Sequence, residues 1–210
     1  LQLVALTDHA PAMKDTTCHA YFANLHVLPE MLHGVRLLKG IELNILDFDG
    51  TIDMDEAVLQ RLDLAIASLH MPCIKPGTKK ENTQAFLKVM ENPYVDIIGH
   101  ADDPSVPCDF EAIVQEAQHQ GKLLELNNNS TTAHRPGSLP SLKQYILCCK
   151  AHSQRVCVAS DAHFDTMVGN VAPIMALLDE LEFPQQLIVN LRQETFEAYL
   201  REREARIGSR

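Results

Sequence analysis

A chain of 210 residues, 46% of them hydrophobic, is long enough to close one domain around a sizeable core. Its formal net charge of −10 argues against a nucleic-acid surface, which needs clustered Lys and Arg. No apolar run approaches the ~20 residues that cross a bilayer, and no secretory leader is visible, so neither nucleic acid nor membrane is an expected partner.

In chain order, six runs read as strands: "LQLVALTDH" (1–9), "VRLLKGIELNI" (35–45), "LDLAIASLH" (62–70), "VDIIGH" (95–100), "KLLELNNN" (122–129) and "RVCVASDAH" (155–163). They are near-continuous apolar runs, the pattern of strands buried on both faces of a parallel sheet. Helical patterns lie between and after them: "DEAVLQRLDLAI" (55–66), "ENTQAFLKVMEN" (81–92), "DFEAIVQEAQHQG" (109–121), "MVGNVAPIMALLDELEF" (167–183) and "RQETFEAYLREREAR" (192–206). Asp109 reads as a cap, Gly121 as a stop, and Pro173 as a kink within its helix. Alternating strands and helices predict βα units on a parallel sheet in one domain, residues 1–210. The chain opens at Leu1, inside a strand pattern, and its natural start is expected upstream. None of the six cysteines forms a C-x-x-C pair, so a zinc knuckle is not expected and a reducing cytoplasm is.

Five of the six strands end in His or carboxylate: Asp8-His9, Glu42, His70, His100 and Asp161-x-His163; the sixth ends in Asn127-Asn128-Asn129. The C-terminal ends of parallel strands emerge at one face, so residues scattered along the chain should converge there. A lone strand-end histidine is ordinarily a hydrogen-bonded core residue. Four at four strand ends, with Glu and Asp beside them, read as a ligand set for Zn, Mn or Fe. His119 and His152 fall on predicted helices. His26 and His33 have no obvious partners. His19 and His134 lie in loops near the presumed face. Arg135, also in a loop, has a guanidinium fork suited to phosphate oxygens or simply to solvent.

The pieces "TDHAP", "GIELNI", "DGTID", "SLHMP", "NTQA", "GHADDP", "LELNNNS" and "SDAH" together resemble the PHP (polymerase and histidinol phosphatase) superfamily, most closely its YcdX-like branch. The resemblance implies a distorted (β/α)7 TIM-like barrel holding up to three divalent ions, zinc or manganese. It implies hydrolysis of small phosphate monoesters by metal-activated hydroxide. By the same resemblance Glu42 bridges metals, His70 and His100 complete one position, Asp161 serves a second, and His9 and His163 a third. Glu42, Asp161 and His163 would be catalytic, and Arg135, His19 and Asn128 would face substrate. The family's opening H-x-H strand is absent, which removes ligands from two of the three positions, and "GHADDP" replaces its usual His-Pro-Gly. A non-catalytic metal-binding remnant is the corresponding alternative. "ILDFDGTIDMDE" (45–56) raises another. It resembles the nucleophile motif of haloacid-dehalogenase (HAD) phosphatases, with Asp47 attacking phosphorus, Asp49 handling the proton, and Asp161 and Asp165 binding Mg. That reading leaves His9, His70, His100 and His163 without a task, and Asp49-Gly50 then reads as a turn.

Overall fold

The computed structural model describes residues 1–132 and 135–208; the loop histidine His134 lies outside them. Its frame is one curved sheet. The strands are β1 (Leu3–Leu6), β2 (Met31–Leu32), β3 (Val35–Asn44), β4 (Leu64–Ser68), β5 (Ile97–Ile98), β6 (Leu123–Asn127) and β7 (Val156–Ala159). The order is β1-β3-β4-β5-β6-β7, every neighbouring pair parallel; β2 alone is antiparallel, folded onto β3. The β2–β3 hairpin turns through His33 and Gly34, with φ of 49° and 80°. Positive φ at both central residues is what a two-residue hairpin requires.

The helices are α1 (His19–Asn24), α2 (Glu56–Leu59), α3 (Lys79–Met90), α4 (Phe110–Gln120), α5 (Ser138–Ala151), α6 (Ala172–Glu180) and α7 (Gln193–Gly208). Asp109 accepts from the Ala112 N–H at the start of α4, and Gly121 ends it at φ 66°. Two expectations need correction. The helix expected over 55–66 stops at Leu59, because residues 64–68 form β4 instead, buried throughout and paired with Gly40–Asn44 of β3. Pro173 does not kink a helix; it sits in the first turn of α6, where its missing N–H has no intrahelical partner to lose. The strands are also shorter than the runs read from the sequence; β5, for example, covers only Ile97–Ile98 of 95–100.

One hydrophobic cluster packs helices against the outside of the sheet, with Leu43, Phe86, Val114 and Tyr145 among its buried members. A smaller one fills the inside of the curve and joins Leu38, Leu64, Ile97 and Leu123 to Phe196 and Tyr199 of α7. Helix α7 crosses the N-terminal ends of the strands and is pinned there by charge. Arg36 pairs with Glu197 at 2.9 Å, Arg155 with Glu202 at 2.8 Å, and Arg203 Nε with Asp96 at 2.8 Å. Asp96 also accepts from Arg206, and the Tyr199 hydroxyl donates to the Asp96 carbonyl. Asp96 is 0% exposed. Between β1 and β7 the curve stays open as a cleft of about 750 Å³ that runs from Leu1 and Phe196 up to His9, Glu42 and Asp161. No described helix is long and apolar enough to cross a membrane.

A buried ion pair deprived of one partner leaves an uncompensated charge, at a cost of ~3–5 kcal/mol. Arg203→Leu should therefore lower the unfolding free energy by about 3 kcal/mol, since Arg206 still faces Asp96. Urea unfolding followed by far-ultraviolet circular dichroism checks this; a change below about 1 kcal/mol would mean that the pair does not anchor α7.

Candidate functional site

The ladder between β1 and β3 continues past β1. Ala10 N–H donates to the Glu42 carbonyl at 2.8 Å, and Glu42 N–H to the Asp8 carbonyl at 2.9 Å. Parallel pairing therefore sets His9 beside Glu42, and successive strands add His70, His100 and Asp161 along the same rim. These residues, with His163, Arg135, Asp103 and Met71, line a pocket of about 220 Å³.

Glu42 is its centre. His70 Nε2 lies 3.1 Å from Glu42 Oε1 and His100 Nε2 3.4 Å from the same oxygen, while His9 Nδ1 is 3.4 Å from Oε2. The two Nε2 atoms of His70 and His100 are 3.2 Å apart. Ser68 Oγ donates to Oε1 at 2.7 Å. Burial raises the Glu42 pKa, but the bonds from His100 and His70 outweigh it and hold the carboxyl well below its usual range. Burial drives His9 down toward its neutral form, against the pull of Glu42.

The tautomer of His70 follows from its neighbours. Asn44 Nδ2 donates to the Ala10 carbonyl at 3.0 Å and to Asp53 Oδ2 at 2.6 Å, so its Oδ1 is the atom that faces His70 Nδ1, at 2.7 Å. Nδ1 therefore carries the hydrogen, and in neutral His70 the lone pair of Nε2 points at a carboxylate oxygen and at a second imidazole nitrogen. These three potential ligand atoms, within 3.4 Å of one another, can share one positive charge, whether a proton on His100 Nε2 or a metal ion. His9 Nδ1 is buried and makes no hydrogen bond among the described residues. His9, Glu42 and His70 also offer ligand atoms that all lie within 4.8 Å of one another. The donor set fits a divalent metal ion with mixed nitrogen and oxygen ligands.

The opposite wall is built on Asp161. Its Oδ2 accepts from Asn127 Nδ2 at 3.1 Å, Asn129 Nδ2 at 3.0 Å and Arg135 Nη2 at 3.3 Å. Its Oδ1 stays turned toward His163, 3.6 Å from Nδ1. Asp161 and His100 have φ of 48° and 25°, left-handed conformations that cost a non-glycine residue energy and that gather at functional sites. Gly99, beside His100, has no room for a side chain: a Cβ there would meet Ser68 Oγ at 2.1 Å. Glu125, buried in β6, accepts from the His100 N–H at 2.7 Å, and burial pushes its carboxyl up to about 7. Burial likewise raises Asp102, which sits fully enclosed behind His100, against the pull of Ser130.

Other candidate residues lie elsewhere. Asn128 turns away from the pocket, its Oδ1 accepting from the Ile174 N–H of α6. His19 is exposed and paired with Asp55 at 2.5 Å. Asp8, beside His9, accepts from the Tyr21 hydroxyl at 2.6 Å. Asp47 Oδ1 accepts from the N–H groups of Asp49 and Thr51, each at 3.0 Å, closing a turn in which Gly50 has φ 80° against the backbone of α3. Neither Asp47 nor Asp49 lines the pocket. Asn44, Asp53, Ser68 and Glu125 were not anticipated as supports of the site. Asn44, Ser68 and Glu125 lie at or within two residues of the end of a strand; Asp53, in the loop after β3, carries no such signal.

No family model matches the chain. A "probable phosphatase" of Acetivibrio thermocellus is 42% identical over 207 residues, covering 99% of this chain and 86% of its own. Another from Clostridium novyi is 40% identical, covering 96% and 82%. Among solved structures, a histidinol phosphate phosphatase from Lactococcus lactis, complexed with zinc, L-histidinol and phosphate, aligns with a TM-score of 0.55 at 18% identity, over 88% of this chain and 83% of its own. A chain of an archaeal ribonuclease P bound to mature tRNA aligns with a TM-score of 0.58 at 15% identity, over 97% and 81%. At such identities the likeness concerns the fold, a mostly parallel α/β sheet curled into part of a barrel. By sequence, the chain belongs to the family of these probable phosphatases.

Proposed function

We propose that the chain, as one domain, is a divalent-metal-dependent phosphoesterase of the PHP type that hydrolyses small phosphate monoesters. The observation that carries this is the packing of Glu42, His70 and His100 around a point where one cation can reach all three. The names of the relatives and the zinc and phosphate bound by the Lactococcus lactis enzyme support it. The barrel would be of the (β/α)7 kind.

Glu42, His70, His100 and His9 would hold the metal, zinc or manganese, with Asp161 Oδ1 and His163 available to a further ion. Such ions, when bound, supply charge stabilisation at the phosphoryl oxygens and lower the pKa of water. The chain's own residues do the rest. Asn44 fixes His70 so that Nε2 faces inward, and Asp53 fixes Asn44. Ser68 holds the Glu42 carboxylate in orientation. Asn127 and Asn129 hold Asp161, which in turn steadies the Arg135 guanidinium at the pocket wall. Arg135 then offers N–H donors in fork geometry to the phosphate oxygens. The small open pocket, about 220 Å³, would admit a phosphoryl group and leave the rest of the ester toward Met71 and Asp103.

With p-nitrophenyl phosphate as substrate, Glu42→Gln should lower kcat/KM by at least about 100-fold, while Asp47→Asn changes it less than about threefold. The reverse pattern would transfer the chemistry to the HAD motif. Asn44→Ala, which frees the His70 ring, should weaken metal affinity or activity about 10–100-fold, as loss of a ligand's hydrogen-bond partner does; a variant that matches the parent in both would contradict the role given to Asn44. Dialysis against a chelator should abolish turnover, and zinc or manganese should restore it. Full activity in the stripped protein would exclude the metal-dependent reading.

A further inference from the structure

A second group of metal-competent side chains lies away from the pocket, where α4 and α5 pack side by side. Glu111 stands in the first turn of α4. Cys148 lies in the last turn of α5, and His152 caps the end of that helix, four residues further on. A spacing of four brings both side chains to one helical face. His152 Nε2 is 2.7 Å from Glu111 Oε1, and Cys148 Sγ is 3.7 Å from Glu111 Oε2. The sulfur, nitrogen and oxygen atoms all lie within 4.8 Å of one another. Gln118 Nε2 donates to the His152 carbonyl and fixes the end of α5.

We propose that Glu111, Cys148 and His152 form a separate site for one zinc-class divalent cation. An ion pair would need only the imidazole and one carboxylate oxygen. Here the second oxygen accepts a long hydrogen bond from the Cys148 thiol, at 3.7 Å, so all three side chains already converge on one point. A cation shared by the three atoms would replace both hydrogen bonds with metal bonds. The thiol proton, and the imidazole proton where one is present, pass to solvent as the metal–sulfur and metal–nitrogen bonds form. One sulfur, one nitrogen and one oxygen suit zinc or cobalt and disfavour magnesium or calcium, which take oxygen ligands. Three protein ligands leave a fourth tetrahedral position for water. Cys148 and His152 are half-buried and Glu111 is exposed, so the cation can enter from solvent.

Cobalt(II), a spectroscopic substitute for zinc, separates this site from the pocket. The Glu42 cluster offers nitrogen and oxygen, whereas thiolate ligation gives an intense near-ultraviolet sulfur-to-cobalt charge-transfer band. Titration of the metal-free chain with cobalt should produce that band, saturating at about one ion per chain. Cys148→Ser should abolish it, and Glu111→Gln and His152→Ala should each weaken cobalt binding at this site by at least about tenfold. Zinc should also slow alkylation of Cys148 by iodoacetamide. The absence of a band in the parent protein, or a band that survives Cys148→Ser, would overturn the proposal. Should Cys148→Ser fold poorly, an unchanged cobalt affinity in the surface variant Glu111→Gln would overturn it equally.

Discussion

A carboxylate and two imidazole nitrogens, brought to within 3.4 Å of one another at the rim of a parallel sheet, set the terms for the rest of this molecule. With Nδ1 protonated, the lone pair of His70 Nε2 faces both the Glu42 carboxylate and His100. In the proposed metal-bound state a divalent cation would be held by all three. The surrounding structure holds the ligands against relaxing apart. The Asn44–Asp53 pair locks one ring, Ser68 one carboxylate oxygen, and Glu125 the backbone of His100. Left-handed backbone at His100 and Asp161 is tolerated because sheet and loop contacts over-determine it.

The fold separates stability from chemistry along the strand axis. At the N-terminal ends of the strands, α7 closes the inner core with Phe196 and Tyr199 and clasps Asp96 between Arg203 and Arg206. At the C-terminal ends lie the ligands, the strained residues and the pocket. The two ends share the apolar strands between them, and few side chains contact both. On the proposed function, substitutions at the α7 end would act through folding, and those at the rim through metal and substrate. The Glu111–Cys148–His152 group belongs to neither end. It sits on the outer helical layer, where a bound ion would tie α4 to α5.

The sequence made the frame legible because continuous apolar runs have one common use, a strand buried on both faces, and the residue at the end of each run then faces a shared rim. His9, Glu42, His70, His100, Asp161 and His163 could be named on that ground alone. Reading stayed ambiguous where one pattern served two structures. "LDLAIA" suits a helix or a strand, and only its pairing with Gly40–Asn44 decides. Asp47-Phe48-Asp49-Gly50-Thr51 suits a nucleophile or a self-capped turn, and the hydrogen bonds to Asp47 Oδ1 describe the turn. Of three consecutive asparagines, Asn128 is the one expected to face substrate. Asn127 and Asn129 instead face Asp161, while Asn128 opens a 3-10 turn and faces α6. The Asn44–His70 contact was not legible, because residues 26 positions apart meet only through strand register.

The most direct measurement is an anomalous difference map from crystals soaked in zinc or manganese and recorded at the absorption edge of the metal. The account predicts a peak within bonding distance of Glu42 together with the Nε2 atoms of His70 and His100. A map with no peak among those three residues, or with its pocket-side peak at Asp47 and Asp49, would contradict it.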